Sequence, residues 1–258
     1  MSLNVNIELS PDIVNKIIAN SKKLPSLDLP GDFKLNRHIE HTLLKPQAQN
    51  FDFVTLAKQA LDYNFYGVCI PPCRIKLLRD IVNGSSVKII TTIAFPLGSS
   101  TKLVKATESA YAQDDGADEI DMVINIGKLK ESDFNYVYQD IAAVKSVLYP
   151  QTVLKVILET ALLKPEEIIQ GGFIALLAGA DYLKTSTGFL GTGATVENVR
   201  ILRSLINHYC QQHQNKPGIK ASGGIKTGEF ALQLIRAGAD RLGTSSSLKL
   251  IESNQSQQ

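Results

Sequence analysis

From about residue 35 onward, short β-type runs alternate with segments whose apolar residues recur at helical spacing. The β-type runs fall near 38–43, 67–70, 87–95, 118–124, 153–159, 182–187, 218–222 and 241–245. The helical patterns fall near 51–64, 74–82, 101–115, 131–148, 165–178, 195–213 and 227–237, with a last short one from about Ser246. Eight strands, each followed by a helix, predict a (β/α)8 barrel of the TIM class over residues 35–258. A doubly wound sheet is the competing arrangement, but it rarely needs eight such units. No strand here is followed by a clean G-x-G-x-x-G turn.

Residues 1–34 read as an extension to that body. Ser10-Pro11 has the form of an N-cap followed by proline at the first helical position. Ile13, Val14, Ile17 and Ile18 then make a narrow apolar stripe, ended by Lys22, Lys23 and Pro25. The pattern predicts one short helix packed on the barrel, a proline-containing linker to about Gly31, and a disordered tail over the first few residues.

An internal repeat supports the barrel. Gly-Ala-Asp occurs at 116–118, 179–181 and 238–240, each time where a helix ends and a strand begins. Glycine suits the left-handed residue that closes a helix, so the three copies mark equivalent corners. Three residues past each aspartate stand Asp121, Lys184 and Gly243, at equivalent depths in different strands.

Strand periodicity then sorts the faces. Ile120, Met122 and Ile124 oppose Glu119, Asp121 and Val123; Val156 and Leu158 oppose Lys155, Ile157 and Glu159. Lys184 opposes Leu183, and Lys220 opposes Ile219 and Ala221. A barrel strand shows its apolar face to the surrounding helices, so Asp121, Lys155, Glu159, Lys184 and Lys220 are directed into the lumen. Burying so many ionisable groups is costly, and ion pairing alone seldom requires it; an active site is the economical reading.

Ser222-Gly223-Gly224-Ile225-Lys226 follows the seventh run, and Gly243-Thr244-Ser245-Ser246 follows the eighth. Glycines allow backbone N–H groups to approach an anion, and a helix starting near Ser246 offers its positive end. These are the loops where such barrels commonly hold phosphate. Gly223, Gly224, Lys226, Gly243, Ser245 and Ser246 are the candidate phosphate residues.

The remaining composition narrows the classes. The chain has 258 residues, 44% apolar and 20% charged, enough for one sizeable core, and a net charge of +2 gives no case for nucleic acid or a membrane surface. Cys69, Cys73 and Cys210 form no even disulfide set, which fits a reducing cytoplasm; Cys69, within an apolar run, is expected in the core. The N-terminus carries no long apolar run and no small-residue cleavage site, so the expectation is a soluble cytoplasmic protein. His38, His41, His208 and His213 are too scattered for a zinc site.

HTLLKP (41–46), AFPLGSSTK (94–102), GADEIDMVINIG (116–127), LKVILET (154–160), GADYLKTSTGF (179–189), IKASGG (219–224) and GTSSS (243–247) occur in that order. From about Asn36 to Leu250 the chain thereby resembles the deoxyribose-phosphate aldolases, Schiff-base enzymes on a (β/α)8 barrel. The resemblance implies reversible cleavage of 2-deoxy-D-ribose 5-phosphate to acetaldehyde and D-glyceraldehyde 3-phosphate, within deoxyribonucleoside catabolism. It implies Lys184 as the Schiff-base lysine, Lys220 beside it and Asp121 as the acid–base carboxylate. Lys155, Glu159, Glu40 and Thr42 would support them. It also implies no metal, no separate cofactor and a homodimer.

Three positions depart from the family's pattern: Glu40 stands where aspartate is usual, Phe189 where some members carry a phosphate-contacting lysine, and the C-terminal tail has no tyrosine. A lysine-dependent barrel aldolase with another carbonyl donor, and a sugar-phosphate-binding barrel without catalysis, are the alternative readings. Chemically, an ordinary lysine of pKa ~10.4 is uncharged in only about 0.04% of molecules at pH 7. A second ammonium ~5 Å away would lower that pKa by roughly two units at an effective dielectric of ~20, and desolvation would add about one more. Lys220 is expected to be the electrostatic neighbour that keeps Lys184 neutral.

Overall fold

The computed structural model describes residues 7–255, and the disordered tail expected at the start of the chain lies outside them. Eight parallel strands close in sequence order into one barrel: β1 (Ile39–Thr42), β2 (Gly67–Ile70), β3 (Lys88–Ile93), β4 (Glu119–Val123), β5 (Val153–Ile157), β6 (Tyr182–Lys184), β7 (Gly218–Ser222) and β8 (Arg241–Thr244). The crossovers are α2 (Asn50–Asp62), α3 (Ile75–Val82), α4 (Lys102–Asp114), α5 (Ile126–Lys130) with α6 (Phe134–Val147), α7 (Pro165–Leu177), α8 (Val196–Tyr209) and α9 (Gly228–Arg236). α10 (Ser247–Gln255) follows the last strand. The barrel is as the alternation predicts. The helix expected near 131–148 forms as α6, with Asp133 capping the N–H of Tyr136; the short α5 before it was not expected, and it starts where Asn125 caps the N–H of Lys128.

The apolar core lies outside the strands, not within them. Ile120, Met122, Leu154, Val156, Leu183, Ile219 and Leu242 pack outward against the helices in one buried cluster. The inward set is read from the register, since laterally paired residues share a face: Asp121 pairs with Lys155, Lys155 with Tyr182, Lys184 with Lys220, and Lys220 with Arg241.

The Gly-Ala-Asp corners are three copies of one device. Asp118, Asp181 and Asp240 accept the backbone N–H of Ile89, Leu154 and Ile219 at 2.7–2.8 Å. Each also takes a cation from the neighbouring helix one unit earlier in the chain, Arg79 of α3, Lys145 of α6 and Arg203 of α8 respectively, at 2.7 Å. The glycines have φ of +109°, +94° and +114°, where a side chain would be strained. The corner before β2 follows the same path: Asn64 is left-handed and the Tyr66 N–H reaches Ile39 O, but Tyr66 stands in place of aspartate.

α1 (Pro11–Ser21) forms as the stripe predicts and packs on α7 and α8 with Val14 and Ile17 buried. Pro11 occupies the first turn, but the Ser10 side chain makes no capping bond. Gln170 ties the entry of the extension to α7, accepting from Leu9 N and donating to Ile7 O. Among the described residues, no helix is long and apolar enough to cross a membrane.

The corner aspartates serve the frame rather than the cavity. Asp240→Ala leaves the buried Ile219 N–H without an acceptor and should lower unfolding free energy by about 2 kcal/mol. Urea denaturation measures this; a midpoint equal to that of the parent would contradict the assigned role.

Candidate active site

At mid-barrel the inward residues converge on Asp121, whose side chain is fully buried. Lys155 Nζ donates to its Oδ1 at 2.9 Å; Lys184 and Lys220 both donate to its Oδ2, at 2.8 and 2.6 Å. The two amines therefore lie no farther apart than those two bonds laid end to end. Glu40 closes the ring from β1, hydrogen-bonded to Lys220 and 3.5 Å from Lys155. Gly243 on β8 gives Lys220 its room, since a Cβ there would stand 2.9 Å from the Lys220 Cε.

The electrostatics separate the three lysines. Burial pushes the Lys184 ammonium below the ordinary lysine value; Asp121 opposes this and Lys220 adds to it. Burial also works against the charge on Lys220, but Asp121 and Glu40 outweigh it and raise that lysine above the ordinary value. Lys155 is raised well above it by Asp121, Glu40 and Glu119, again against burial. Burial is thus a larger cause than the Lys220 repulsion that sequence reasoning put first. Burial alone would raise the Asp121 carboxyl, yet the three ammoniums hold it well below the usual carboxylate range. A carboxylate so stabilised is a weak base.

A cavity of about 290 Å³ opens above this cluster at the C-terminal ends of the strands. It is lined by Lys184, Thr42, Thr187 and Phe189, and by Gly223, Gly224, Lys226, Gly243, Ser245 and Ser246. All six candidate phosphate residues thus stand on one wall. Gly223 and Gly224 have φ of +86° and +73°, and α10 begins immediately after Ser246 with its positive end towards the cavity. Exposed Lys226 and Lys45 supply cations at the rim. Of the three lumen lysines, Lys184 lines the cavity, with 3% of its side chain exposed; Lys155 and Lys220 show none.

Two expectations are corrected. Glu159 does not join the lysine cluster: its backbone is left-handed at φ +59°, just past β5, and its carboxylate turns to Thr187, accepting from both N and Oγ1. Burial raises its carboxyl, opposed by those Thr187 bonds. Cys69 is buried, but on the lumen side rather than in the outer core. It pairs in register with Thr42, and its Sγ lies within 4.8 Å of oxygens of Glu40 and Asp121. An apolar run cannot reveal which way a buried strand residue faces. Sequence reasoning also passed over Lys45, present in HTLLKP, and Glu119, which shares a face with Asp121 at a spacing of two.

Fold and cavity together define a (β/α)8 barrel with a lysine at the base of its cavity and a wall of glycines and serines from the loops after β7 and β8. The chain belongs to the DeoC/LacD family of aldolases, whose model matches residues 36–250. It is 46% identical over 222 residues to the deoxyribose-phosphate aldolase of Thermococcus kodakarensis, covering 85% of this chain and 96% of that one. It is 45% identical over 219 residues to that of Clostridium perfringens strain SM101, covering 85% and 95%. A putative deoxyribose-phosphate aldolase from Coccidioides immitis superposes with a TM-score of 0.84 at 35% identity, over 96% of this chain and 99% of the other. The Aeropyrum pernix deoxyribose phosphate aldolase, described as tetrameric, superposes with a TM-score of 0.77 at 30% identity, over 97% and 100%. The protein is therefore an enzyme, an aldolase of the lyase class.

Proposed function

We propose that the enzyme reversibly cleaves 2-deoxy-D-ribose 5-phosphate to D-glyceraldehyde 3-phosphate and acetaldehyde through an imine on Lys184, in the breakdown of deoxyribonucleosides. The observation that carries this reading is that the one lumen lysine whose charge is disfavoured is also the one that reaches the cavity. The relatives' substrate and the six-residue anion cradle support the phosphate end.

In the proposed sequence, Lys184 Nζ attacks the C1 aldehyde of the open-chain sugar, and water leaves to give the protonated imine. The C3 hydroxyl gives up its proton and the C2–C3 bond breaks, its electron pair moving into the imine to form an enamine. D-Glyceraldehyde 3-phosphate departs. The enamine carbon takes a proton, and water hydrolyses the imine to acetaldehyde and the free amine. Lys220, sharing Asp121 Oδ2 with Lys184, is placed to pass protons, while Asp121 and Lys155 hold the geometry. Thr42 lines the substrate cavity, and Glu40 holds Lys220 from below.

No metal or further cofactor enters this scheme, since the ammoniums already neutralise Glu40 and Asp121. Residues 35–258 carry the catalysis and 1–34 form the extension. Three free cysteines favour a cytoplasmic setting.

Self-association is part of the proposal, and α4 supports it. Its outward stripe carries Leu103 (73% exposed), Val104 and Tyr111 (70% exposed), whereas its inner face buries Lys105, Ser109 and Gln113. Two copies packed antiparallel about Thr107 would cover the stripes and bring exposed Lys102 towards Asp114 of the second copy. Sedimentation tests this: the parent should be a dimer or larger and Leu103→Lys with Tyr111→Lys a monomer, whereas an unchanged oligomer would exclude this face.

Borohydride reduction with acetaldehyde, followed by peptide mass analysis, tests the chemistry. An ethyl adduct on Lys184 is expected, and in Lys220→Met the pH midpoint for trapping should rise by about one to two units, because a repelling charge is gone and Glu40 is unpaired. An adduct formed only with dihydroxyacetone would favour the other carbonyl donor, and none with any carbonyl would exclude the imine.

A further inference from the structure

Below the reacting amine the barrel has a charged floor that the proposed chemistry leaves unused. Glu119, two residues before Asp121 and 3% exposed, forms an ion pair with Lys155 and accepts from the Tyr66 hydroxyl. Arg241 lies over the Tyr66 ring, 3.7 Å from its centroid, and 5.9 Å from that of Tyr182. Gly218 on β7 makes space for the Tyr182 ring, which a Cβ would meet at 2.2 Å. The floor is therefore built: aromatic rings, guanidinium and carboxylate fix one another, and the last contact in the chain is with a lysine of the catalytic cluster.

We infer that Glu119 is a positioning residue for the aldolase reaction, held from below by Tyr66 and Arg241, and that it sets the charge balance under which Lys184 is neutral. This rests on the imine reading. The titratable groups facing the lumen are Glu40 from β1, Cys69 from β2, Lys88 from β3, which is exposed at the lower mouth, Glu119 and Asp121 from β4, Lys155 from β5, Lys184 from β6, Lys220 from β7 and Arg241 from β8. Tyr66, Tyr182 and Glu159 close the two ends. Apart from Glu159, whose carboxylate is turned to Thr187, and Lys88, whose charge is exposed to solvent, the described residues place three carboxylates, two cationic lysines, one arginine and Lys184 in the lumen. Three negative charges meet three positive ones only when Lys184 is uncharged. Among groups so deeply buried, that equality favours the free amine, because a fourth cation has no counter-charge.

Glu119 also supplies Lys155 with a partner other than Asp121. Lys155 stands on Asp121 Oδ1, leaving Oδ2 to the two amines. Without Glu119, Lys155 would turn wholly to Asp121 and Glu40.

The test is the pH dependence of cyanoborohydride trapping of acetaldehyde on Lys184 in variants of the full chain. Glu119→Gln removes a negative charge and should move the trapping midpoint down by about one pH unit; Glu119→Asp keeps the charge and should leave it near the parent's. Arg241→Gln removes a positive charge and should move the midpoint upward. That reversal of sign is one a merely structural defect does not produce, and it carries the test if Glu119→Gln fails to fold. Unmoved midpoints, or Asp and Gln variants shifted alike, would overturn the inference while leaving the imine intact. A parent protein that traps no adduct at any pH would overturn both.

Discussion

Asp121 Oδ2 accepts from two lysine amines deep inside the barrel, and the order of the site follows from that sharing. In water two ammoniums on one oxygen would differ little. In the lumen each charge needs its own compensation. Lys220 has a second carboxylate in Glu40, and Lys155 has three; among the described residues Lys184 forms its ion pair with Asp121 alone. Lys184 is therefore the amine for which the proton is most expendable, and its side chain is also the one that reaches the cavity.

The frame makes this arrangement tolerable. Stability is gathered outside the strands, where Ile, Leu and Val side chains pack against the helices, and at the corners, where Asp118, Asp181 and Asp240 tie helix to strand. The lumen is thereby released from supplying apolar contacts and can hold ionisable groups at fixed positions. The cavity follows the same division: the loops after β7 and β8 contribute glycines, serines and the start of α10, while Lys184 comes from the strand next to them.

Much of this was legible in the chain because strand alternation and the Gly-Ala-Asp spacing carry geometric information. Asp121, Lys155, Lys184 and Lys220 face inward because their neighbours Ile120, Val156, Leu183 and Ile219 must face the helices. The signal failed where alternation stops or says nothing. Glu159 is left-handed, so parity no longer assigns its direction. Cys69 sits in a strand buried on both faces, where apolar character does not distinguish lumen from core. The α4 helix is reversed in character, with Lys105 buried against Asp140 and Leu103 exposed, an arrangement that its own hydropathy contradicts. The Arg241–Tyr66–Glu119 floor joins residues from distant segments, and no local pattern brings them together.

The central claim is that Lys184 is the neutral amine among charged neighbours. NMR of lysine Nζ groups in protein labelled with 15N at lysine, with Lys184 assigned by substitution, measures it directly. The account predicts that Lys184 loses its proton below the ordinary lysine pKa of about 10.5 while Lys155 and Lys220 stay charged throughout that range. A Lys184 that titrates together with Lys220, or after it, would contradict the account.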